Sequence, residues 1–552
     1  MPKINDFVYP LLFVILRKTK NLNQLLPQLI FLLFQKTGQA SSASIAFQVN
    51  GSDILNDICL FFGRSIINNL RRKGMAKIAM IGAGSVVFSK TLFMDLVSVP
   101  AFQDAEFWFM GPTRKKLERV KNFADRVAKD NNLKIKNYIT QDRREALNQA
   151  DYVIAMLQIG GVTAFKYDYE IPLKHGVDQC IGDTLGPGGI FRTLRTVPVM
   201  IDLAKDMQEL CPNAYLLNYV NPMATVCWAL GKVAGVNFVG LCHGVQTTLD
   251  LISGYVEVPK EEIDYLVAGI NHMAWFLRIE HKGKDLYPLF KLRCEQPEYF
   301  VNEKVRIEVM RHFGYFMTES TGHLSEYLPW FRSHKRTLET YCDEPSFGGE
   351  SGAYYKWCKL IAEKMETEDL LANEPTKITG RSVEYCSYIL EALETGKTFK
   401  FQGNVRNDHY ITNLPDGCCV EIPVFADKIG LHPTHIGALP PQCAALNLTN
   451  VNVQGLSVEA AIQGDPELVV AACALDPLTS ACLSLKEVRD MVAEMLETEQ
   501  SWLPQFAGKS LRSTPLISVP KDVQRAKVPL DPALAIAHRF GELADKASKT
   551  TS

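Results

Sequence analysis

The stretch KIAMIGAGS, residues 77–85, decides the fold that this sequence predicts. Its first five residues are typical of a short buried strand, and Gly82 and Gly84 follow directly before a helical pattern. Such a strand, glycine turn and helix bind a dinucleotide, because glycines let the backbone approach the pyrophosphate and the helix N-terminus offers free N–H groups. Gly82, Gly84 and Ser85 are therefore predicted cofactor contacts. Val87 replaces the third glycine of the usual fingerprint, so an ordinary strand, turn and helix is the alternative interpretation.

Strand and helix patterns alternate from residue 75 to about residue 240. The clearest helical segment spans 189–210, where apolar residues recur every three or four positions and form one face. Alternation of this kind predicts an α/β fold with a Rossmann-like, doubly wound and mainly parallel sheet covered by helices on both faces. The predicted strands are 77–81, 106–110, 135–140, 152–157, 214–218 and 237–241.

The turns after the predicted strands are where a ligand is expected, because ligands of such sheets lie at the carboxyl ends of the strands. A glycine-rich turn with Gln158 follows the fourth strand, and Asn218 and Asn221 follow the fifth. Gln158 and Asn218 are predicted to contact the cofactor. Amide groups at a strand end suit the recognition of hydroxyls, and Asn221 is the predicted substrate contact. An Asx turn and helix cap before Pro222 is the alternative for Asn221.

The turn after the second strand bears on the choice of dinucleotide. A carboxylate there normally holds the ribose 2′-hydroxyl of NAD, but Gly111 occupies the expected position. Arg114 and Lys115 follow and could accommodate the 2′-phosphate of NADP, although a solvated basic pair at a helix start explains them equally well. The turn therefore leaves both NAD and NADP open as the cofactor.

A thiol and an imidazole also stand at predicted strand ends. Cys242 lies in GLCHG at 240–244, and His272 lies in GINHMAWF at 269–276. Together they could share a divalent cation and leave open positions for the oxygens of a substrate. A small buried cysteine and a core histidine are the alternative interpretation of the same pair.

The composition is that of an ordinary globular protein, with 47% apolar and 22% charged residues among 552. The chain exceeds a single core, so at least two substructures are expected. A net charge of −2 gives no reason to expect nucleic acid or a membrane as partner. The fourteen cysteines are scattered without a C-x-x-C pair, which indicates a reducing compartment, the cytoplasm.

The two ends of the chain differ from its body. Residues 1–74 hold two apolar runs, each too short to span a bilayer. We expect the native protein to start at Met75 and residues 1–74 to be translated upstream sequence, with a membrane-surface anchor as the alternative. Residues 506–552 form a separate tail with a helical pattern at 531–546.

Beyond residue 300 the patterns predict helices on both sides of a β region. Strands and turns are predicted at 398–440. The predicted helices are 300–330, 380–396, 457–474 and 485–498.

Nine short segments, taken in order, make the chain similar to a known family. They resemble glycoside hydrolase family 4, the NAD- and metal-dependent glycosidases, over residues 75–505, and within that family they most resemble the bacterial α-galactosidases, or melibiases. The segments are IGAGS at 81–85, QIGG at 158–161, DTLGPGG at 183–189, LNYVNPMA at 217–224, GLCH at 240–243, AGINHMA at 268–274, TES at 318–320 with His323, Glu326, Tyr327 and PWF at 329–331, GNVRND at 403–408 and NLPDGCCVE at 413–421.

The resemblance implies a fold and a reaction. The part at 75–268 is expected to be an NAD-binding domain like that of lactate and malate dehydrogenases, and an α+β part at 269–505 to build the substrate side and the contacts of a homodimer or homotetramer. In this family the nicotinamide oxidises C3 of the sugar, a base removes the C2 proton, the glycosidic oxygen leaves by elimination and water adds back, which departs from the usual two-carboxylate scheme. The expected activity is hydrolysis of terminal α-galactosides. An α-glucosidase or α-galacturonidase is the alternative, and a 2-hydroxy acid dehydrogenase a further one.

The resemblance also implies roles for individual residues. Cys242 and His272 match the family's ligands for Mn²⁺ or another divalent cation, and Asn221 matches its substrate-contacting asparagine. His243 follows the metal cysteine and is expected to protonate the leaving oxygen, since a histidine titrates near neutrality.

Two assignments are less direct. The base for the C2 proton is predicted to be Glu319, with Tyr315 next, and an exposed loop acid is the alternative for Glu319. Arg406 is predicted to reach a sugar hydroxyl or the metal site, with a structural ion pair as the alternative.

Overall fold

The computed structural model describes residues 75–233, 235–524, 526–529 and 531–550. The predictions for residues 1–74 lie outside this range. Within it, no helix is both long enough and apolar enough to cross a bilayer.

The parallel part of the sheet consists of β1 Lys77–Ile81, β2 Glu106–Met110, β3 Lys136–Thr140, β4 Tyr152–Ala155, β5 Tyr215–Asn218 and β6 Asn237–Gly240. These strands are ordered β3-β2-β1-β4-β5-β6, which is the predicted doubly wound arrangement. The order reverses between β1 and β4, and such sheets bind ligands at that point. The predicted strand 152–157 ends two residues early, at Ala155.

The helices of this half are α1 Val86–Val97, α2 Arg114–Asp130, α3 Arg143–Leu147, α4 Gly161–Lys174, α5 Gly186–Leu210, α6 Met223–Val233 and α7 Gly244–Val256. They cover both faces of the sheet. On β1, Ile78 and Met80 belong to one core with Phe93 of α1, whereas Ala79 and Ile81 belong to a second core that includes α5. Since both faces are buried, the strand is a continuous apolar run.

The remaining strands are β7 Asp264–Ile270, β8 Met273–His281, β9 Lys284–Asp285, β10 Phe316–Met317, β11 Phe399–Arg406, β12 Cys419–Asp427 and β13 Gly430–Pro433. They continue the same sheet, because β11 pairs antiparallel with β6, and β12, β7, β8 and β10 follow in that order. The predicted domain boundary at residue 268 lies inside β7. One row of cross-strand partners spans the junction between the halves and consists of Gly240, Asn404, Glu421 and Gly269.

The remaining helices are α8 Tyr287–Cys294, α9 Pro297–Phe300, α10 Lys304–Phe313, α11 Thr321–Tyr327, α12 Lys335–Tyr341, α13 Ala353–Thr367, α14 Cys386–Thr395, α15 Pro441–Gln463, α16 Pro466–Leu475, α17 Pro477–Cys482, α18 Leu485–Thr498 and α19 Pro532–Thr550. The predicted helix 485–498 is confirmed at both ends. The prediction for 300–330 is wrong in its middle, where β10 pairs with β8. The predicted helix 457–474 is divided between α15 and α16. The two helices are separated at Gly464, whose φ is +62°.

A buried ion cluster ties the first half to the end of the second. Arg195 in α5 donates to both carboxylate oxygens of Asp168 in α4, at 2.9 and 2.6 Å, and also to Glu499 directly after α18. None of these side chains is more than 1% exposed. Because a charge left behind in such a cluster is uncompensated, each member depends on the other two.

Arg195→Met is therefore expected to destabilise the fold. Two buried carboxylates would lose their partner, which costs about 3–5 kcal/mol and, for a chain of this length, lowers Tm by about 3–5 °C. Thermal unfolding followed by circular dichroism measures the change. Arg311→Met is the matched control, because Arg311 pairs with Glu295 and Glu308 while 47% exposed and such pairs contribute under about 1 kcal/mol. Equal Tm values for the two variants would contradict the interpretation of the cluster.

Candidate active site

Three side chains with metal-binding atoms meet beyond the carboxyl end of β6. Cys242 follows β6 by two residues, His272 lies in the turn between β7 and β8, and Glu319 lies between β10 and α11. Their ligand atoms all lie within 4.8 Å of one another. Glu319 Oε1 is 3.3 Å from Cys242 Sγ and 3.6 Å from His272 Nε2. The structure thus brings together the two ligands expected from the sequence and adds Glu319, which the sequence suggested as a base.

Neighbouring groups orient this metal set, defined as Cys242, His272 and Glu319. The Tyr327 hydroxyl lies 3.0 Å from His272 Nδ1, which leaves Nε2 facing the set. Burial lowers the pKa of His272 to about 3, so its imidazole is neutral and can offer a lone pair. The Gly244 N–H donates to Cys242 Sγ at 3.5 Å from the first turn of α7, where the positive helix end favours a thiolate.

Two members of the metal set have an unusual backbone. His272 and Glu319 have φ values of +62° and +73°, in the left-handed region that residues with a side chain seldom adopt. Such conformations cost about 1–3 kcal/mol each and cluster at functional sites. Space is also tight, because a Cβ on Gly244 would lie 1.8 Å from Glu319 Oε1. Only glycine at 244 therefore leaves the carboxylate where it is.

Acidic groups dominate the electrostatics here. Burial raises the pKa of the Cys242 thiol well above its usual value, and Glu319 and Glu421 raise it further. Glu421 on β12 is 1% exposed, and burial followed by repulsion from Glu319 raises its pKa to about 8. Its Oε1 has no hydrogen-bond partner among the described residues. A divalent cation would offset the negative charge of the Cys242 thiolate and of the two carboxylates. The donor atoms therefore fit a divalent cation.

Sequence reasoning missed part of this arrangement. Glu421 and His323 were not assigned to the site, and Glu319 was not considered as a ligand. The His323 ring packs edge-on against His272 with centroids 4.8 Å apart, and its Nδ1 is 3.7 Å from Glu319 Oε2. A signal existed for Glu421, because it ends the NLPDGCCVE segment that carried the resemblance.

A glycine-rich loop between α4 and α5 lies against the metal set. The buried carboxylate of Glu326 accepts hydrogen bonds from the backbone N–H groups of residues 180–182 at 2.8–3.0 Å. The Thr184 hydroxyl bonds to the Tyr327 hydroxyl, which in turn contacts His272. The loop is therefore held by α11 at two points.

Asn221 lies on the facing turn, where the sequence predicted a substrate contact. Its Nδ2 donates to Asp183 Oδ2 at 3.0 Å. Burial raises the pKa of Asp183, with Arg192 and Asn221 opposing the shift and Glu319 adding to it. Asn221 and Asp183 thus form a hydrogen-bonded polar pair, and Asp183 is close enough to Glu319 of the metal set for the two carboxylates to repel each other.

His243 lies at the start of α7, beside the metal cysteine. Its side chain is 51% exposed, and its Nδ1 is 3.5 Å from Glu384 Oε1. The contact with Glu384 raises the pKa of His243 above its usual value, against the effect of desolvation. The structure therefore places a readily protonated imidazole at the solvent side of the site, as a proton donor requires.

Two predicted residues are not brought to the metal set. The Tyr315 ring packs against Tyr287, with centroids 6.1 Å apart, so its predicted role as base gains no support. Arg406 lies at the end of β11 with its side chain 46% exposed, and its Nη1 donates to Asp408 at 2.6 Å. The contact with Asp408 supports the alternative, a structural ion pair, and the predicted substrate contact of Arg406 gains no support.

The turn between β1 and α1 has the geometry that a dinucleotide requires. Gly82 has a φ of +89°, and a Cβ there would lie 2.8 Å from the backbone of residues 156–157. Gly84 completes the turn. Ser85 caps α1 without a side-chain hydrogen bond, so the N–H groups of the first turn are left for an anion. These residues fit a pyrophosphate.

The other two predicted cofactor contacts differ from each other. Gln158 is exposed after β4, and within the described residues its Nε2 makes only a long bond of 3.4 Å to the Gly161 carbonyl, so its amide can reach a ligand. Asn218 is fully buried, accepts from the Val220 N–H at 3.1 Å and donates to the Val220 carbonyl at 3.2 Å. Because both its amide groups are used within the turn, the predicted cofactor contact of Asn218 gains no support.

The chain belongs to family 4 of the glycosyl hydrolases. The model of the family 4 glycosyl hydrolase matches residues 77–258, and that of the family's C-terminal domain matches residues 267–479. An α-galactosidase from Rhizobium meliloti (strain 1021) is 41% identical over 442 residues, 78% of this chain and 90% of that protein. An α-galactosidase from Bacillus subtilis (strain 168) is 40% identical over 440 residues, 78% of this chain and 100% of that protein.

A solved structure shares the architecture. The 6-phospho-β-glucosidase of Thermotoga maritima, determined with manganese, NAD⁺ and glucose-6-phosphate, superimposes with a TM-score of 0.64 at 22% identity. The match covers 77% of this chain and 98% of that one. At this identity the likeness shows the fold, and it confirms the predicted α/β class.

Gly244→Ala is expected to displace the Glu319 carboxylate and to weaken cation binding by at least about tenfold, as loss of a ligand's support does. Titration with Co²⁺, whose thiolate complexes absorb in the near ultraviolet, measures the affinity and reports on Cys242. Gly254→Ala is the matched control in the same helix, because a Cβ there meets nothing within 4 Å. Unchanged Co²⁺ affinity in Gly244→Ala would rule out Glu319 as a ligand.

Proposed function

We propose that this chain is an α-galactosidase that uses NAD and a divalent cation, with Mn²⁺ as the first choice. The observation that carries the proposal is the meeting of Cys242, His272 and Glu319 at the sheet edge that also carries the glycine turn of Gly82. The identities of 41% and 40% to two α-galactosidases support the sugar. The manganese and NAD⁺ of the related 6-phospho-β-glucosidase support the cofactors.

NAD would accept hydride from C3 of the sugar, and the cation would stabilise negative charge on the C2 and C3 oxygens. The chain supplies the remaining groups. Cys242, His272 and Glu319 Oε1 would hold the cation, and the N–H groups at the start of α1 would hold the pyrophosphate. Asn221 orients the sugar.

Proton transfers fall to two residues, His243 and Glu319. His243 is half-exposed, so it can protonate the leaving oxygen and recover a proton from solvent. Glu319 turns Oε1 to the metal set and Oε2 to His323, which leaves Oε2 as the base for the C2 proton. Tyr315, the second candidate from the sequence, lies with Tyr287 instead.

We further propose that the enzyme is cytoplasmic and forms a homodimer or homotetramer. Its fourteen scattered cysteines support a reducing compartment. The second half exposes large apolar side chains, typical of surfaces that contact another subunit. They include Leu292, Trp330, Trp357 and Leu360. Light scattering coupled to size exclusion measures the assembly.

The first test is hydrolysis of 4-nitrophenyl α-galactoside by purified protein with NAD, Mn²⁺ and a thiol reductant. We expect release of 4-nitrophenol only when all three are present, and loss when a chelator removes the cation. The α-glucoside, the α-galacturonide and NADP in place of NAD are run alongside. No glycoside turnover, with NADH accumulating on a 2-hydroxy acid, would replace the proposal by the dehydrogenase alternative.

Cys242→Ser and His272→Ala are expected to lower kcat by at least about a hundredfold, because each removes a cation ligand. NAD binding, measured by calorimetry, should remain within about twofold, since the glycine turn is untouched. Cys473→Ser is the control for loss of a buried thiol, because Cys473 lies in α16 within the hydrophobic core. Wild-type turnover by Cys242→Ser in the presence of chelator would refute the cation site.

A further inference from the structure

Arg192 is a buried arginine whose donors are not all paired. It lies in the second turn of α5, is 5% exposed, and its guanidinium lies 5.4 Å above the ring of Phe165. Among the residues that the structure describes, its Nε and Nη1 have no hydrogen-bond partner. Unpaired buried donors cost free energy, and a bound ligand that pairs with them is one way in which this cost is removed.

Asp183 faces this guanidinium and is also incompletely paired. Its Oδ2 lies 3.8 Å from Arg192 Nη1, which is too long for a hydrogen bond, and accepts from Asn221 instead. Its Oδ1 has no partner within the described part of the chain, although Asp183 is only 1% exposed. Two donors of Arg192, Nε and Nη1, and one acceptor, Asp183 Oδ1, therefore lack partners within one pair of side chains. A hydroxyl is the group that satisfies both kinds, because it donates and accepts.

A second arginine on the same helix shows what a structural role looks like. Arg195, less than one turn further along α5, donates three hydrogen bonds to Asp168 and Glu499. Its charge is met by two carboxylates of the protein itself, and only its Nε lacks a partner among the described residues. Arg192 differs because the carboxylate of Asp183 lies 3.8 Å from its Nη1 and accepts from Asn221 instead.

The pair lies beside the metal set. Thr184, the residue after Asp183, bonds to Tyr327, which contacts the metal ligand His272. In the proposed reaction the cation and the cofactor engage C2 and C3 and the leaving group departs from C1, so the hydroxyls at C4 and C6 are left for other contacts.

We propose that Arg192 and Asp183 bind the C4 or C6 hydroxyl of the sugar and thereby select neutral hexosides. The inference rests on the proposed function and assigns the specificity of the same site. The guanidinium and the carboxylate carry opposite charges, so the pair suits a neutral group. A uronate or a 6-phosphate would bring negative charge against Asp183, and like charges at a recognition site disfavour that ligand.

The test compares the affinities of several sugars for wild-type and variant protein. Calorimetry measures each affinity, with the protein loaded with NAD and Mn²⁺. The ligands are D-galactose, its 4-deoxy and 6-deoxy forms, and D-galacturonate. Wild-type protein is expected to bind galactose at least about tenfold more tightly than one of the deoxy sugars, and more tightly than galacturonate. In Arg192→Met and in Asp183→Asn, the affinities for galactose and that deoxy sugar should agree within about twofold.

Arg195→Met is the matched control, measured below its lowered Tm. It removes a buried arginine from the same helix but should keep the full deoxy penalty. The inference is overturned if Arg192→Met, folded by circular dichroism and still binding NAD, retains that penalty. It is also overturned if wild-type protein binds none of the hexoses. Galactose binding with the expected affinities but without hydrolysis of the α-galactoside would refute the proposed function and leave the inference standing.

Discussion

The cross-strand register at the junction of the two halves is the constraint on which the site depends. The row of partners through β6, β11, β12 and β7 is hydrogen-bonded from strand to strand, so it fixes what lies just beyond each strand end. Cys242 and His272 follow β6 and β7 by two residues, and Glu421 is itself a member of the row. A slip of one residue on β12 would turn Glu421 to the opposite face. The strands of the second half thus extend the sheet itself and set the distances between the residues of the site.

The site itself is unfavourable in several ways that the surrounding structure offsets. His272 and Glu319 hold left-handed backbones, and a thiol and two carboxylates share a buried space. Glu326 fixes the facing loop through three backbone N–H groups, and Tyr327 fixes the imidazole. Strain and like charge are typical of places where a bound ligand completes the electrostatics. The stability of the core therefore lies elsewhere, in the two apolar faces of the parallel sheet.

The sequence predicted the features that local patterns determine. It did not predict which distant residues come together through tertiary pairing. The glycine turn at Gly82 follows from strand-and-helix alternation, and Cys242 follows from its place at a strand end. The third member of the metal set did not follow, because Glu319 reaches the others only through the pairing of a two-residue strand, β10, with β8. The predicted contact of Asn218 gains no support, because its amide groups bond within its own turn. The predicted contact of Arg406 gains none either, because its side chain is 46% exposed and pairs with Asp408.

The ion cluster of Asp168, Arg195 and Glu499 has a consequence for the order in which the protein is made. Arg195 and Glu499 are separated by 304 residues, and α18 packs on α4. A nascent chain that has just completed its parallel strands therefore still exposes the face of α4 and α5 that α18 later covers. Multidomain proteins usually fold their first domain during synthesis. Here the first half reaches its final packing only after almost the entire polypeptide has been made, so this face stays exposed throughout most of translation.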